Sequence, residues 1–310
     1  MKILVAGGNG FIGSNLCKLL LKQGNEVISL DDNSTGSLEN VSDLINNPLF
    51  TNITHNIINP ITYEFYNLDQ IYNLACPASP KDYQSEPIKT IKVNTLGVLN
   101  LLELSIKYKS KYLFASTSEI YGDPLVSPQS ENYRGNVNTT GIRSCYDEGK
   151  RIGETIVFEY SNKYNIDTKI ARIFNTYGPK MKYNDGRVIS NFIWYALNDK
   201  PLTIYGDGTQ TRSFCYVDDT INGLIKLMDS KIKGPVNIGN PNEMTILEVG
   251  TKILNLLNKE NNFEYMELPM DDPHIRNPDI SKAKNELGWL PSIHLDDGLI
   301  KTIDYYKKKL

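Results

Sequence analysis

Residues 2–13 read Lys2-Ile3-Leu4-Val5-Ala6-Gly7-Gly8-Asn9-Gly10-Phe11-Ile12-Gly13. An apolar strand over 3–5 runs into glycines spaced G-x-x-G-x-x-G, and 14–22 follows with apolar residues at helical spacing. Strand, glycine loop and helix open a dinucleotide-binding unit. Gly7 allows the tight turn, Gly10 lets backbone approach a pyrophosphate, and Gly13 lets the helix pack close to the strand. The helix N-terminus offers free N–H groups and positive partial charge to the phosphates. With Phe11 and Ile12 these residues form the first candidate cofactor site.

Residues 27–31 read as the second strand. Asp31 falls about twenty residues past the glycines, where a carboxylate accepts from the adenosine ribose hydroxyls. It repels a 2′-phosphate, so the expected cofactor is NAD and not NADP. Asp32 beside it leaves two carboxylates for that role. A loop over 33–36 contributes Asn33, Thr35 and Gly36. A short helix is expected over 37–46 and a third strand over 50–53, with Asn56 and Ile57 then near the adenine. A fourth strand over 70–75 brings Leu74 and Ala75 to the loop Cys76-Pro77-Ala78-Ser79-Pro80. Its two prolines forbid regular structure. It leaves the carboxyl end of a central strand, the edge where ligands bind. A long amphipathic helix is expected over 88–107; Asn94 within it reads equally as a plain polar residue.

The fifth strand, 112–115, ends in Ser116-Thr117-Ser118-Glu119. Three hydroxyls and a carboxylate suit a sugar, or form a turn with a helix cap. Tyr146 and Lys150 follow on a helix to about residue 164. Positions i and i+4 share a helix face. An ammonium beside a phenol favours the phenolate, giving a base for a sugar hydroxyl; the bland alternative is a surface pair. The sixth strand, 170–174, leads to Asn175-Thr176-Tyr177-Gly178-Pro179.

After residue 180 shorter elements alternate with Gly and Pro. Helices are expected over 188–197, 218–229, 245–257, 280–287 and 296–309, and strands over 202–206, 212–217, 235–239 and 263–267. The predicted fold is α/β: a Rossmann-type doubly wound parallel sheet with a smaller mixed α/β C-terminal substrate lobe. The division is 1–180 for the NAD-binding domain, with segments near 210–240 interleaved, and 181–310 for the substrate lobe.

With 310 residues, 40% hydrophobic, the chain can bury a large core. A net charge of −3 and the lack of long like-charge blocks speak against a nucleic-acid or membrane-surface partner. Four scattered cysteines and three histidines make a structural metal site or disulfide framework improbable, so reduced thiols and a cytoplasmic location are expected. Met1 leads directly into a strand, so no targeting peptide or membrane span is expected.

The combination at 7–13, 116–122, 146–150 and 175–179 resembles the extended short-chain dehydrogenase/reductase superfamily, which modifies nucleotide sugars. Longer stretches resemble its UDP-glucuronate decarboxylase branch. They are Pro77-Ala78-Ser79-Pro80 with Tyr83, Ser116 to Pro124, Cys145 to Arg151, Ala171 to Pro179, Asn184 to Val188, and Asp271-Asp272-Pro273 with Arg276 to Asp279. The resemblance covers essentially the whole chain. It implies NAD as cofactor and UDP-glucuronate as substrate, decarboxylated to UDP-xylose after oxidation at C4 and reduced again. It also implies that Tyr146 is the base, with Lys150 as partner and ligand of the nicotinamide ribose. Thr117, Ser118 and Glu119 line the sugar, and Thr176 joins the cofactor side. Asn175 and Arg276 lie near the diphosphate and sugar, Tyr205 by the uridine, and Arg212 reaches the nucleotide. Pro77, Ser79, Tyr83, Arg187 and Val188 complete the substrate side, Arg187 being equally a cofactor-side candidate. A homodimer through helices 88–107 and 146–164 is expected.

The chain departs from the family pattern where Cys76 replaces a usual serine, Asn56 a usual aspartate, and Thr139 and Ile142 usual prolines. Rival readings differ at named residues. A 4,6-dehydratase commonly uses an Asp-Glu pair to expel the C6 hydroxyl, where this chain has Ser118-Glu119. A 4-epimerase shares Tyr146 and Lys150 without needing an arginine for a carboxylate. Arg276 itself reads alternatively as the structural partner of nearby aspartates. A non-catalytic NAD-binding scaffold would not need Thr117, Tyr146 and Lys150.

Overall fold

The computed structural model describes residues 1–267 and 275–310. The Asp271-Asp272-Pro273 motif lies outside the described residues. In chain order the elements are β1 (Lys2–Ala6), α1 (Phe11–Lys22), β2 (Glu26–Asp31), β3 (Phe50–Thr54), β4 (Leu68–Asn73), α2 (Pro80–Ser85), α3 (Pro87–Lys92), α4 (Val98–Tyr108), β5 (Lys111–Thr117), α5 (Ser144–Tyr164), β6 (Thr168–Ile173) and β7 (Thr176–Tyr177). Then come α6 (Val188–Leu197), β8 (Leu202–Tyr205), β9 (Thr211–Ser213), β10 (Cys215–Tyr216), α7 (Val217–Asp229), β11 (Pro235–Ile238), β12 (Glu243–Thr245), α8 (Ile246–Leu256), β13 (Phe263–Met266), β14 (Ile275–Arg276), α9 (Ser281–Leu287) and α10 (Leu295–Lys307).

Seven parallel strands form the main sheet in the order β11-β6-β5-β4-β1-β2-β3. This is the doubly wound arrangement expected from the sequence. The order reverses between β1 and β4, and such a switch point opens a crevice at the strands' carboxyl ends. Alternate residues feed opposite faces. Ile3, Val5, Tyr72, Leu113 and Ala171 join one buried cluster. Leu4, Ala6, Ile71, Tyr112, Phe114 and Ile170 join the other. Both faces of the sheet are covered, as parallel sheets require.

Smaller sheets follow: β12-β9-β14, β13-β8 and β10-β7. The expected single strand over 212–217 is two, β9 and β10. At Phe214 the chain leaves β12 and β14 to pair with β7, so no one ladder spans the run. The expected helix over 37–46 shrinks to a 3₁₀ turn at Leu38–Val41, capped by the Ser37 hydroxyl. Among the described residues, no helix is long and apolar enough to cross a membrane.

The expected continuous helix over 88–107 is also divided. Pro87 starts α3, and a π turn at Val93–Gly97 separates it from α4. Asn94 is buried in that turn, and its amide donates to Thr90 O (3.0 Å) and Cys76 Sγ (3.2 Å). Gly149 of α5 faces it: a Cβ there would lie 3.1 Å from the Asn94 amide nitrogen. π turns within helices are frequent at functional sites.

Candidate active site

One cleft of about 660 Å³ opens at the switch point. It takes residues from the ends of β1, β4, β5 and β6, from α5, and from the segments after residue 180. All residues expected at the site line it except Asn33 and Gly36. Those two sit behind Asp31. The Asn33 N–H donates to Asp31 Oδ1 (2.8 Å), and a Cβ at Gly36 would lie 3.0 Å from both Asp31 carboxylate oxygens. They shape the carboxylate's seat without facing the cleft. Asp32, the competing carboxylate, is taken up by Lys89 (3.0 Å), Asn56 (3.1 Å) and the Ser34 N–H (2.9 Å).

The glycine loop fits a pyrophosphate cradle. Gly7 has φ +79°, and a Cβ on it would lie 2.7 Å from the Leu74 carbonyl carbon. A Cβ at Gly13 would lie 2.0 Å from Gly7 O. Larger residues would close the space beneath the N-terminus of α1. Arg187 faces the loop from the other wall, 5.9 Å from the Phe11 ring centre, with its Nε donating to Asp185 (2.7 Å).

Tyr146 and Lys150 share one face of α5, both buried. Glycines on the helix let it pack tightly: a Cβ at Gly153 would lie 2.5 Å from the Phe114 ring. A buried pair, Arg172 on Glu154 (2.8 and 3.0 Å), ties the helix to β6, and Ser116 Oγ donates to the same glutamate (2.5 Å). The electrostatics differ from the sequence expectation. The Lys150 ammonium stands 5.9 Å from the Tyr146 ring centre and donates to Ala115 O (2.8 Å). Burial pushes the phenol well above its ordinary value of about 10, opposed by its hydrogen bond with Thr117. Burial also pushes Lys150 down. Desolvation sets the direction at the phenol, and the lysine is turned to a backbone carbonyl.

Thr117 closes β5 and caps the 3₁₀ turn Ser118–Tyr121 through the Glu119 N–H (3.2 Å). The cap and the sugar-lining alternatives for 116–119 thus fall on one stretch. Arg276 on β14 is buried and pairs with Glu119 Oε1 through Nη1. Its guanidinium also donates to Ser118 Oγ (3.3 Å) and Gly122 O (3.2 Å). The partner of Arg276 among the described residues is therefore a glutamate 157 positions away. Arg143, which sequence reasoning missed, holds the other oxygen, Glu119 Oε2, at 2.5 Å. Burial alone would raise the Glu119 carboxyl; the two guanidiniums override it and hold it well below the usual carboxylate range. Arg143 carries no motif of its own, and its position at the N-cap of α5 is the one local signal.

Other expected residues have structural duties as well. The Ser79 hydroxyl caps α2, accepting from the Asp82 N–H (3.3 Å). Thr176 Oγ1 bonds Phe174 O (3.1 Å) and Thr220 Oγ1 (3.0 Å). Tyr205 is half exposed at the cleft, its carbonyl taking the Gln210 amide (2.8 Å), and Arg212 donates to Thr211 O (2.9 Å). Cys76 Sγ donates to Pro77 O (3.3 Å). Among the described residues, no three His, Cys, Asp or Glu side chains come together as a metal site.

A parallel sheet with a phosphate-cradling loop, and a Tyr/Lys/Thr cluster over the neighbouring strand end, define a nucleotide-dependent enzyme acting on a hydroxyl. Residues 3–239 match the model of the NAD dependent epimerase/dehydratase family, and the chain belongs to that family. Within it, the chain is 52% identical over 300 residues to UDP-glucuronic acid decarboxylase 6 of Arabidopsis thaliana, covering 96% of this chain and 87% of that one. It is 48% identical over 309 residues to UDP-glucuronic acid decarboxylase 1 of Danio rerio, covering 100% of this chain and 73% of that one. Among solved structures, UDP-glucuronic acid 4-epimerase from Bacillus cereus, in complex with UDP-glucuronic acid and NAD, superposes with a TM-score of 0.90 at 31% identity, both chains covered fully.

Proposed function

We propose that this protein is a UDP-glucuronate decarboxylase, converting UDP-glucuronate to UDP-xylose and CO2 with NAD bound throughout. The observation that carries this reading is Arg276, a buried guanidinium in the same cleft as Tyr146, Thr117 and Glu119. A planar fork of donors suits a carboxylate. The identity to proteins named decarboxylase, 48–52% over nearly the whole chain, supports it.

The glycine loop would hold the pyrophosphate, and Asp31 the adenosine ribose beside Thr35, Asn56 and Ile57. Leu74, Ala75, Lys150 and Thr176 would flank the nicotinamide end. Pro77, Ser79, Tyr83, Asn175 and Val188 would enclose sugar and diphosphate, with Arg187, Tyr205 and Arg212 toward the nucleotide. Bound NAD would supply a hydride acceptor for C4 and, once CO2 is lost, the hydride donor for the same carbon. Tyr146 takes the C4 hydroxyl proton as phenolate, a form that a positive nicotinamide ring and the Lys150 ammonium would favour against the burial that raises the phenol, and Thr117, hydrogen-bonded to it, steadies the C4 oxygen. The resulting 4-ketone is β to the C6 carboxylate, so the C5–C6 bond breaks with its electron pair held as an enolate. C5 then gains a proton, and Tyr146 returns its own to the C4 oxygen. Ser118 and Glu119 position the ring. Arg276 orients the carboxylate, which competes with Glu119 for the guanidinium while Arg143 retains Glu119.

The second reading is a UDP-glucuronate 4-epimerase, favoured by the likeness to the solved epimerase at 31% identity. Incubating the protein with UDP-glucuronate and catalytic NAD separates the two. The decarboxylase releases CO2 and forms a UDP-pentose; inversion at C4 without CO2 would establish the epimerase.

On this reading residues 1–180, with later segments near 210–240, serve as the cofactor lobe, and 181–310 as the substrate lobe. Assembly as a homodimer fits the exposed apolar side chains Ile88, Ile91 and Leu96 on one helical run and Ile152 and Phe158 on α5. Exposed apolar side chains on helices that pack against one another suit a protein contact. Four free thiols fit a cytoplasmic enzyme.

A further inference from the structure

Arg276 reaches the cleft from a strand with little hold of its own. β14 is two residues long and pairs with β9, Ile275 with Thr211 and Arg276 with Arg212. That is shorter than an ordinary strand. The Ser213 hydroxyl adds a long bond to Arg276 O (3.4 Å). Immediately after β14 the chain is held by Gln129, which belongs to the segment linking β5 to α5 and lies 148 positions from Asn277.

Gln129 is fully buried, and all four of its polar atoms are engaged. Its N–H donates to Asn277 O (2.8 Å), and its Oε1 accepts from the Asn277 N–H (2.9 Å). One residue thus meets both main-chain groups of the neighbour of Arg276. The Gln129 carbonyl accepts from the Asp279 N–H (2.9 Å), and Nε2 donates to Val126 O (2.7 Å). The Asn237 amide donates to Gln129 O (2.9 Å) and Asp279 O (3.0 Å). Asn237 is buried on β11, the edge strand of the main sheet, and its Oδ1 takes the Tyr121 hydroxyl (2.8 Å). A buried polar network with its partners in place is rigid. This one runs from the sheet through Asn237 and Gln129 to the residue beside Arg276.

The same linking segment meets the guanidinium. Ser118 Oγ, Glu119 and Gly122 O accept from it. Residues 118–122 therefore grip the head of Arg276, and Gln129 grips the main chain just beyond its stem. A planar fork binds a carboxylate in a narrow geometry, and a misplaced binding group is costly.

We propose that Gln129 is the positioning residue for Arg276, its clamp on Asn277 setting where the guanidinium meets the C6 carboxylate. Gln129 does not line the cleft and acts through Arg276. This rests on the substrate reading above and adds the residue that holds the carboxylate's partner in register.

The test is a double-mutant cycle on the full chain with NAD bound. Gln129→Met keeps the main-chain bonds and removes the acceptor for the Asn277 N–H and the donor to Val126 O. KM for UDP-glucuronate rises by about tenfold, while affinity for UDP stays within about twofold of wild type. Added to Arg276→Met, which already lacks the fork, the same change raises KM by less than about twofold. A merely structural residue would lower the melting temperature without this ligand dependence or this coupling. Unchanged KM, equal losses for UDP-glucuronate and UDP, or losses that multiply in full in the double variant overturn the proposal. Should Gln129→Met not fold, Gln129→Asn decides by the same readings, since its shorter amide cannot reach Asn277 and Val126 together. Unchanged KM in Arg276→Met overturns the substrate reading, and this proposal with it. A loss in Arg276→Met with none in the Gln129 variant overturns this proposal alone.

Discussion

The ring of Tyr83 lies against the ring of Tyr146, centroids 4.8 Å apart and planes 8° from parallel. One tyrosine sits on α2, after the proline-rich loop, and the other on α5. Their contact fixes the aromatic plane of the proposed base from a segment 63 positions earlier in the chain.

Tyr83→Ala removes that support and leaves a cavity. Large-to-small changes of buried aromatics cost about 3–5 kcal/mol, and a free Tyr146 ring loses its orientation. We expect kcat to fall by about tenfold or more along with a lower melting temperature. Tyr83→Phe deletes a buried hydroxyl with no partner, so its melting temperature stays level or rises. A raised KM for UDP-glucuronate in Tyr83→Phe would show that the hydroxyl meets substrate.

Asp147→Asn should alter stability with pH. The Asp147 carboxyl is raised in the folded chain, chiefly by burial. A raised group gives stability that is full below its unfolded value of about 4 and is lost as pH rises through the folded value. Wild-type stability therefore falls between about pH 4 and pH 8 on this account, and the asparagine variant lacks that fall. Melting temperatures across the range check it; parallel curves would contradict it.

Arg276→Met removes the guanidinium proposed to orient the carboxylate. KM for UDP-glucuronate should rise by about tenfold or more, while UDP affinity stays near wild type. Equal losses for both ligands would place Arg276 on the nucleotide instead. Arg143→Met leaves Glu119 one guanidinium and should destabilise the chain by about 3 kcal/mol, read by urea unfolding.

Gly13→Ala places a methyl where Gly7 O stands. The loop must shift, and with it the N–H groups that cradle phosphate. NAD affinity should fall by about tenfold or more, while circular dichroism remains that of a folded α/β chain. Unchanged NAD affinity would refute the cradle.

Phe158→Glu puts a charge on the apolar face of α5, where Phe158 is exposed in the single chain. Light scattering at micromolar concentration should give a dimer mass for wild type and a monomer mass for the variant. A wild-type monomer would refute the proposed assembly.

The sequence by itself determined the features that depend on short spacing. Three glycines at 7, 10 and 13 serve one turn, and Tyr146 and Lys150 are one helical turn apart, so covalent geometry places both sets whatever surrounds them. Alternating apolar residues likewise set the strands and their two buried faces. Tertiary structure decided what depends on distant segments meeting. The parallel order put the ends of β4 and β5 beside α5, and only then did Tyr83 stack on Tyr146 and Glu119 fall between Arg143 and Arg276. The π turn that holds Asn94 against Gly149 is a feature that helical periodicity does not encode. Burial, a property of the whole fold, set the sign of the shift at Tyr146, where local spacing to Lys150 suggested the opposite.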